Sequence, residues 1–457
     1  MTQQRSAPPL ARPLPVAAFG TLLALAAFTF PLATIGSTAA TLGSDASGRT
    51  WILSSMSIGL SAALLVSGAL ADDIGRRRTF VLGLVVLALA SAVCAAAPFT
   101  LVFVLARVVQ GVGAGAVLAS SLGVIAHAFE PGPLRARASG IWGAAVGAGI
   151  TLGPLLSATS DRLATWREGY WLLTALTLVA AVVAGRLLAE SRTETPRGLD
   201  LIGAVALSGG LSALLAALVE GRAGWTRPLP LVLLAVAALL LAGFVLHERR
   251  TASPMLDLTL LRQPAFLAAT VAALATGAGV IALMSYMAGF VGAAFGLDAL
   301  HSAFLLFGWS ATSVITALLA RRIPASVSGR TQLALGLVGV AVGTGLLLGL
   351  SETSSPLRLV PGLVLAGAAT GIVNAALGRE AVASVPAGRA AMGSGANNTA
   401  RYLGSAIGVT VVSVVVLSAG TAPSAVFDGW NHAVIVVIAI TALGAAVVAA
   451  TRPRAAR

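Results

Sequence analysis

An all-α integral membrane protein is the fold class this sequence predicts, and three observations predict it. The 457 residues are 57% hydrophobic and only 10% charged, with a mean hydropathy of +0.94. A soluble globular chain carries about 25% charged residues, so this chain has too few polar groups to cover a water-facing surface. Apolar runs of at least ~18 residues, the length a helix needs to cross hydrocarbon, recur along the whole chain. Alternation at period two is weak, which argues against an outer-membrane barrel.

Reading each apolar run between charged or Pro/Gly breaks gives fourteen spans. They lie near 16–38, 50–71, 79–98, 100–126, 137–159, 168–189, 200–219, 228–247, 265–290, 300–320, 331–350, 358–378, 391–418 and 431–450. All 29 basic residues are arginine. With both termini inside, 21 arginines fall in the tails and cytoplasmic loops. Six fall outside (49, 162, 167, 222, 227, 358), and Arg107 and Arg401 lie within spans. That asymmetry is the positive-inside rule. It predicts a multi-pass protein of the cell membrane with both termini cytoplasmic, and it explains the net charge of +13 without a nucleic-acid partner. The single cysteine, Cys94, excludes an intrachain disulfide and a thiol-metal site. Residues 1–15 read as a mobile tail rather than a signal peptide.

The stretch GALADDIGRRR at 68–78 forms the short cytoplasmic turn between spans two and three. A stop signal needs only the arginines; it does not need Gly68, Asp72 and Gly75 at their spacing. Gly68 permits close helix approach, and Gly75 permits a tight turn. Asp72 can pair with a positive helix N-terminus or with an arginine of a neighbouring bundle. These residues resemble the signature loop of the major facilitator superfamily, G-x-L-a-D-r-x-G-r-r. Gly68, Leu70, Ala71, Asp72, Gly75, Arg76 and Arg77 match it, while Asp73 stands where a basic residue is common. The resemblance implies a conformational latch.

That family is built from two six-helix halves, and a faint repeat is present. Gly140, Gly149 and Gly153 in span five share their spacing with Gly395, Gly404 and Gly408 in span thirteen. The 255-residue offset exceeds six helices plus loops, which marks spans seven and eight as surplus. The resemblance then extends to the fourteen-helix drug:proton antiporter branch. It implies a major facilitator fold of two pseudo-symmetric six-helix bundles plus two inserted helices. The expected parts are a tail (1–15), a first bundle (16–199), inserted helices (200–250), a cytoplasmic linker (251–264), a second bundle (265–450) and a tail (451–457).

Span four carries LARVVQGVGAGAV, with Arg107 and Gln110 matching the family's R-x-x-q-G-x-g-a pattern. An arginine at membrane depth costs about 2.5–3.5 kcal/mol, so Arg107 is expected to face a cavity or a partner. The resemblance links it to proton transfer and core packing. Span five carries GAGITLGPLLSA, in which Gly149, Gly153 and Pro154 match the antiporter pattern g-x-x-x-G-P-x-x-G-G. Ser157 and Ala158 replace its last two glycines. This element implies export. In span thirteen, Asn397, Asn398, Thr399 and Arg401 sit ~10–15 Å deep, with Asn374 of span twelve a candidate neighbour. They are expected to face a water-filled path, or else to form an interhelical hydrogen-bond net. Trp142, Trp309, Phe28, Phe30, Met284 and Tyr286 are candidate walls of an apolar cavity.

No carboxylate falls within a span; the sixteen acids occupy loops and helix ends. His127, at the cytoplasmic end of span four, titrates near neutrality and is a further coupling candidate. Without lysine the chain has no G-x-x-x-x-G-K-[ST] nucleotide loop, and no cofactor is implied. No loop is long enough to house an enzyme site. The expectation is a monomeric exporter, surrounded by the lipid bilayer, that exchanges protons for small amphipathic compounds such as drugs or antibiotics. The alternatives are a facilitator-fold carrier of a lipid, peptide or metabolite, an uncoupled facilitator, and a transport-dead receptor.

Overall fold

The computed structural model describes residues 13–194, 198, 200–222, 224–251, 254–324, 326–420 and 425–451, and their regular structure is helical throughout. Most of the two expected tails, with Arg5, Arg12, Arg452, Arg454 and Arg457, lies outside the described residues, as does Arg197. The first half contains α1 (Pro13–Thr29), α2 (Pro31–Leu42), α3 (Ala46–Ile74), α4 (Arg76–Ala96), α5 (Thr100–Ala128), α6 (Pro133–Leu163) and α7 (Trp166–Leu187). Then come α8 (Leu201–Gly221) and α9 (Pro228–Arg250). The second half contains α10 (Pro264–Thr276), α11 (Ala282–Phe295), α12 (Ala299–Leu319), α13 (Gly329–Gly345), α14 (Val360–Ala383), α15 (Ala390–Ser418) and α16 (Ala425–Ala450).

The acids at helix ends have local work to do. Asp45, Asp200 and Asp298 cap α3, α8 and α12 by accepting from the N–H groups of Gly48, Gly203 and His301. Each satisfies a donor that a helix start leaves unpaired.

Among the described residues, twelve helices are long and apolar enough to cross a membrane. The α1–α2 pair, bent by 47°, makes a thirteenth. Two of the fourteen expected spans depart from a plain long helix. The first span breaks at Phe30–Pro31, because Pro31 has no N–H to return to the Ala27 carbonyl. The eleventh ends early: α13 has 17 residues, about 25 Å, and gives way to a turn that hydropathy alone does not see. The ninth span is interrupted by a π-helical segment, Gly277–Ile281, between α10 and α11.

Helices α1–α7 pack around one core containing Phe30, Phe103, Trp166 and Tyr170. Helices α10–α16 pack around two others, in one of which Phe290 stacks on Trp430 at 4.1 Å. The α8–α9 pair sits beside α3 and α15, where Ser208 Oγ donates to Ala62 O (2.8 Å) and Thr410 Oγ1 to Leu218 O (3.3 Å). The two glycine triplets make equivalent contacts. Gly149 and Gly153 press on α1, and Gly404 and Gly408 press on α10 and the π turn. Gly140 meets Ala317 of α12, while Gly395 meets Leu64 of α3. Each triplet thus joins its helix to the first span of its own bundle and the second span of the other.

Candidate functional site

The loop at 68–78 meets the start of α15 across the two bundles. Asp72 is fully buried and accepts from Arg76 Nη2 (2.7 Å) and Nε (3.0 Å). It also accepts from the N–H groups of Met392 (2.8 Å) and Ala391 (3.2 Å), in the first turn of α15. The helix N-terminus expected as a partner is therefore present, while the arginine on Asp72 comes from its own loop. The cross-bundle arginine belongs to Asp73, the residue that departs from the family pattern: Arg389 Nη1 donates to it at 2.8 Å with both side chains buried. Arg76 reaches across as well, donating to Gly388 O at 2.8 Å.

Local geometry explains the two glycines. A β-carbon at Gly68 would collide with the backbone of Ala391 and Met392. Gly75 has φ +132°, a conformation that disfavours a side chain, and the Glu190 carboxylate lies against it. Glu190 accepts from the N–H groups of Arg77 (3.1 Å) and Arg78 (3.2 Å), capping α4. The Arg77 side chain donates to Leu188 O, at 3.5 Å. A Gly68→Val variant should lose most transport, because overpacking here costs about 1–3 kcal/mol and pushes α15 away. Wild-type export by that variant would show that close approach at Gly68 is dispensable.

Away from the 68–78 loop the bundles part around two adjoining cavities that share Phe28, Leu32 and Ser285. The first has about 590 Å³ of empty volume and is bounded by α1, α2, α6, the π turn, α11 and α12. Phe28, Met284 and Trp309 line it as expected, and so does Pro154. Trp142, Phe30 and Tyr286 do not line either cavity. Trp142 is buried under Gly378 and donates to Ser121 Oγ at 2.9 Å, and Phe30 packs on Tyr170.

Two prolines shape this wall. Pro31 leaves Ala27 O without its helical donor, and Arg107 Nη1 supplies one at 2.7 Å. Arg107 also donates to Phe28 O at 3.1 Å and to Gln110 Oε1, while Gln110 Nε2 donates to Ser91 Oγ at 2.8 Å. Arg107 is fully buried and answers two carbonyls at the helix break. Pro154 likewise orphans Ile150 O, and the Thr29 hydroxyl lies 3.2 Å from it.

The polar residues of α15 lie below the cavities. Asn397 Nδ2 donates to Ala269 O and Asn398 Nδ2 to Ser394 O, both at 3.0 Å. Ser394 Oγ crosses to Leu118 O of α5 at 3.1 Å. Arg401 is buried, and its Nε and Nη2 have no partner among the described residues; nor do Asn374 Oδ1 and Thr399 Oγ1. The structure brings Asn397 and Asn398 into interhelical or local bonds and leaves Asn374 Oδ1 and Arg401 Nε and Nη2 without a partner among the described residues. His127 lines a separate depression beside the 68–78 loop with Arg76 and Arg135.

Two helical bundles, symmetric glycine contacts and a charged loop joined to the opposing helix form one arrangement. The family model described as Major Facilitator Superfamily matches residues 17–409. This chain belongs to the major facilitator superfamily. It is 31% identical over 369 residues to the multidrug resistance protein Stp of Mycobacterium tuberculosis, covering 80% of this chain and 68% of the relative. It is 32% identical over 410 residues to a probable actinorhodin transporter of Streptomyces coelicolor, covering 86% and 70%. Among solved structures it is similar to the human organic anion transporter MFSD10, with a TM-score of 0.69, 19% identity, and coverage of 96% of this chain and 100% of the other. That likeness concerns the fold. The facilitator is a multi-pass membrane transporter rather than an enzyme.

Two contacts at this site escape sequence reading. Asp73 and Arg389 are 316 positions apart, and only the folded chain pairs them. Glu190 gives no motif signal at all.

Proposed function

We propose that this facilitator exports small amphipathic compounds across the cell membrane by proton antiport, with the latch closing its cytoplasmic side. The observation that carries the reading is a largely apolar cavity walled by both bundles, apart from the buried interbundle bonds of Asp72 and Asp73. The relatives' printed names support drug or antibiotic efflux as the cargo class. In this reading α13 is a short eleventh span, α1–α2 a broken first one, and both termini are cytoplasmic. The bundles comprise 16–199 and 265–450, with 200–250 inserted between them, and the chain acts as a monomer. Gly149, Gly153 and Pro154 set the crossing of α6 over α1 at the cavity wall.

Coupling in this reading runs through the latch. The sixteen acids leave mid-membrane positions empty, whereas Asp72 and Asp73 are buried and tied to the other bundle. A proton on Asp72 weakens its bonds to the start of α15 and opens the cytoplasmic side. Arg107 and Gln110 hold the broken helix that walls the cavity, and His127 lies at the mouth of the latch-end depression as a relay.

The test is a resistance panel in a pump-deficient bacterial host, followed by uptake into everted vesicles with an imposed pH gradient. Resistance to at least one compound, with accumulation abolished by a protonophore, is expected. Accumulation that ignores the pH gradient would sink proton antiport. The lack of a mid-span carboxylate favours, as a second reading, an uncoupled facilitator; equilibration without accumulation selects it.

A further inference from the structure

Of the six arginines that charge counting puts in outer loops, one lines a cavity between the bundles. Arg222 follows the last residue of α8 and borders the second cavity, about 710 Å³ of empty volume enclosed by α2, α3, α8, α11 and α15. It is the one charged residue of that lining among the described residues. The other polar groups there are the hydroxyls of Ser54, Ser57, Ser285 and Ser405, and the remaining wall is apolar.

This guanidinium is left incomplete. Its Nη1 lies 3.5 Å from Ser54 Oγ, a long contact, and its buried Nε has no partner among the described residues. Glu220, two positions earlier, accepts instead from Trp51 Nε1 at 2.7 Å. No ion pair reaches Arg222 among the described residues. Burial pushes its guanidinium down to about 10, so it stays cationic at neutral pH. One helical turn below Ser405, Arg401 adds a buried guanidinium with no carboxylate partner among the described residues.

A half-buried cation with an unpartnered Nε and one long contact, beside hydroxyls and bordering an apolar chamber, is complementary to an anion. The geometry points to an organic anion as the cargo: its carboxylate, sulfonate or phenolate head pairs with Arg222 and the serine hydroxyls, and its apolar body passes Phe28 and Leu32 into the first cavity. The inference deepens the exporter reading and rests on these cavities being the cargo site. It also gives the inserted helix pair a part in recognition, since α8 delivers the arginine.

The test is binding to purified protein in lipid nanodiscs, with empty nanodiscs subtracted. The probes are anilinonaphthalene sulfonate and phenylnaphthylamine, a neutral twin without the sulfonate. Arg222→Gln should weaken sulfonate binding by about tenfold or more, the worth of a charge-assisted bond, while neutral binding changes less than about twofold. Arg222→Lys should keep most of the preference for the anion. Ser57→Asp, which places a carboxylate in the chamber, should abolish sulfonate binding and spare the neutral probe. That second variant decides the matter if Arg222→Gln also loses the neutral probe.

Undiminished sulfonate binding in Ser57→Asp or in a folded Arg222→Gln would overturn the proposal, as would no sulfonate binding by wild type. Nanodiscs with and without phosphatidylglycerol separate a soluble anion from a lipid headgroup. Displacement of the sulfonate by phosphatidylglycerol assigns the site to lipid and also overturns it. Arg222-dependent binding without efflux would retain the anion site and sink the exporter. Efflux of a cationic dye, untouched by Arg222→Gln, would do the reverse.

Discussion

Asp72→Asn is expected to cut steady-state export by about tenfold or more while leaving the protein folded. The carboxylate is fully buried and holds four donors, two from Arg76 and two from the start of α15. Asparagine keeps one acceptor oxygen and turns an NH2 group toward other donors. It also removes the negative charge that the α15 N-terminus and the buried Arg76 both face. Loss of one hydrogen bond to a charged group costs about 1.5–3 kcal/mol, and every 1.4 kcal/mol shifts a two-state equilibrium tenfold. The latched state therefore loses population to the unlatched one. Asp73→Asn removes a single bond, to Arg389, and should do less. Efflux assays at matched membrane expression read the ranking. Equal rates for Asp72→Asn and wild type would remove the latch from the mechanism.

The other large effect is expected at Arg107. Arg107→Met leaves Ala27 O, Phe28 O and Gln110 Oε1 without their donor in a space that water does not reach. Each unsatisfied buried acceptor costs about 1–3 kcal/mol, so a clear fall in melting temperature and loss of transport should follow. Pro31→Ala returns an N–H to Ala27 O. In that background Arg107→Met should cost less, by a coupling energy of about 1 kcal/mol or more. Thermal melts of the four proteins in the cycle measure this, and strictly additive losses would refute the pairing of arginine with helix break. Transport by the stable double variant then separates two roles. Full recovery means that Arg107 only props the helix; a folded protein that no longer responds to the pH gradient means that it also couples.

The helical architecture was legible because membrane spanning depends on the length of apolar runs, which the sequence displays directly. Its interruptions were not. Pro31 sits inside an unbroken apolar run, and its effect depends on whether a donor such as Arg107 is present to accept the break. The shortness of α13 was hidden because apolar residues continue past its end at Gly345. Asp72 could be read from charge order and glycine spacing. Asp73 could be read only as a departure, since its partner Arg389 comes from the other half. Trp142 and Trp309 are both buried tryptophans, and only tertiary placement puts Trp309 on a cavity and Trp142 under a glycine. Arg222 was counted as a loop charge because sequence shows where a helix stops, not which way its last side chain lies.

The central claim is that the latch controls which side of the molecule is open. Pulsed electron spin resonance distances between nitroxides, in a Cys94→Ala background, test it most directly. One label pair, Leu134→Cys with Arg322→Cys, spans the latch side from exposed positions on the two bundles. A second, Leu163→Cys with Leu357→Cys, spans the opposite side. In otherwise wild-type protein the latch-side pair should show a dominant short distance. Asp72→Asn should lengthen it and shorten the opposite pair in the same sample. Distances on both sides unchanged by Asp72→Asn, or lengthening together, would contradict alternating access governed by this latch.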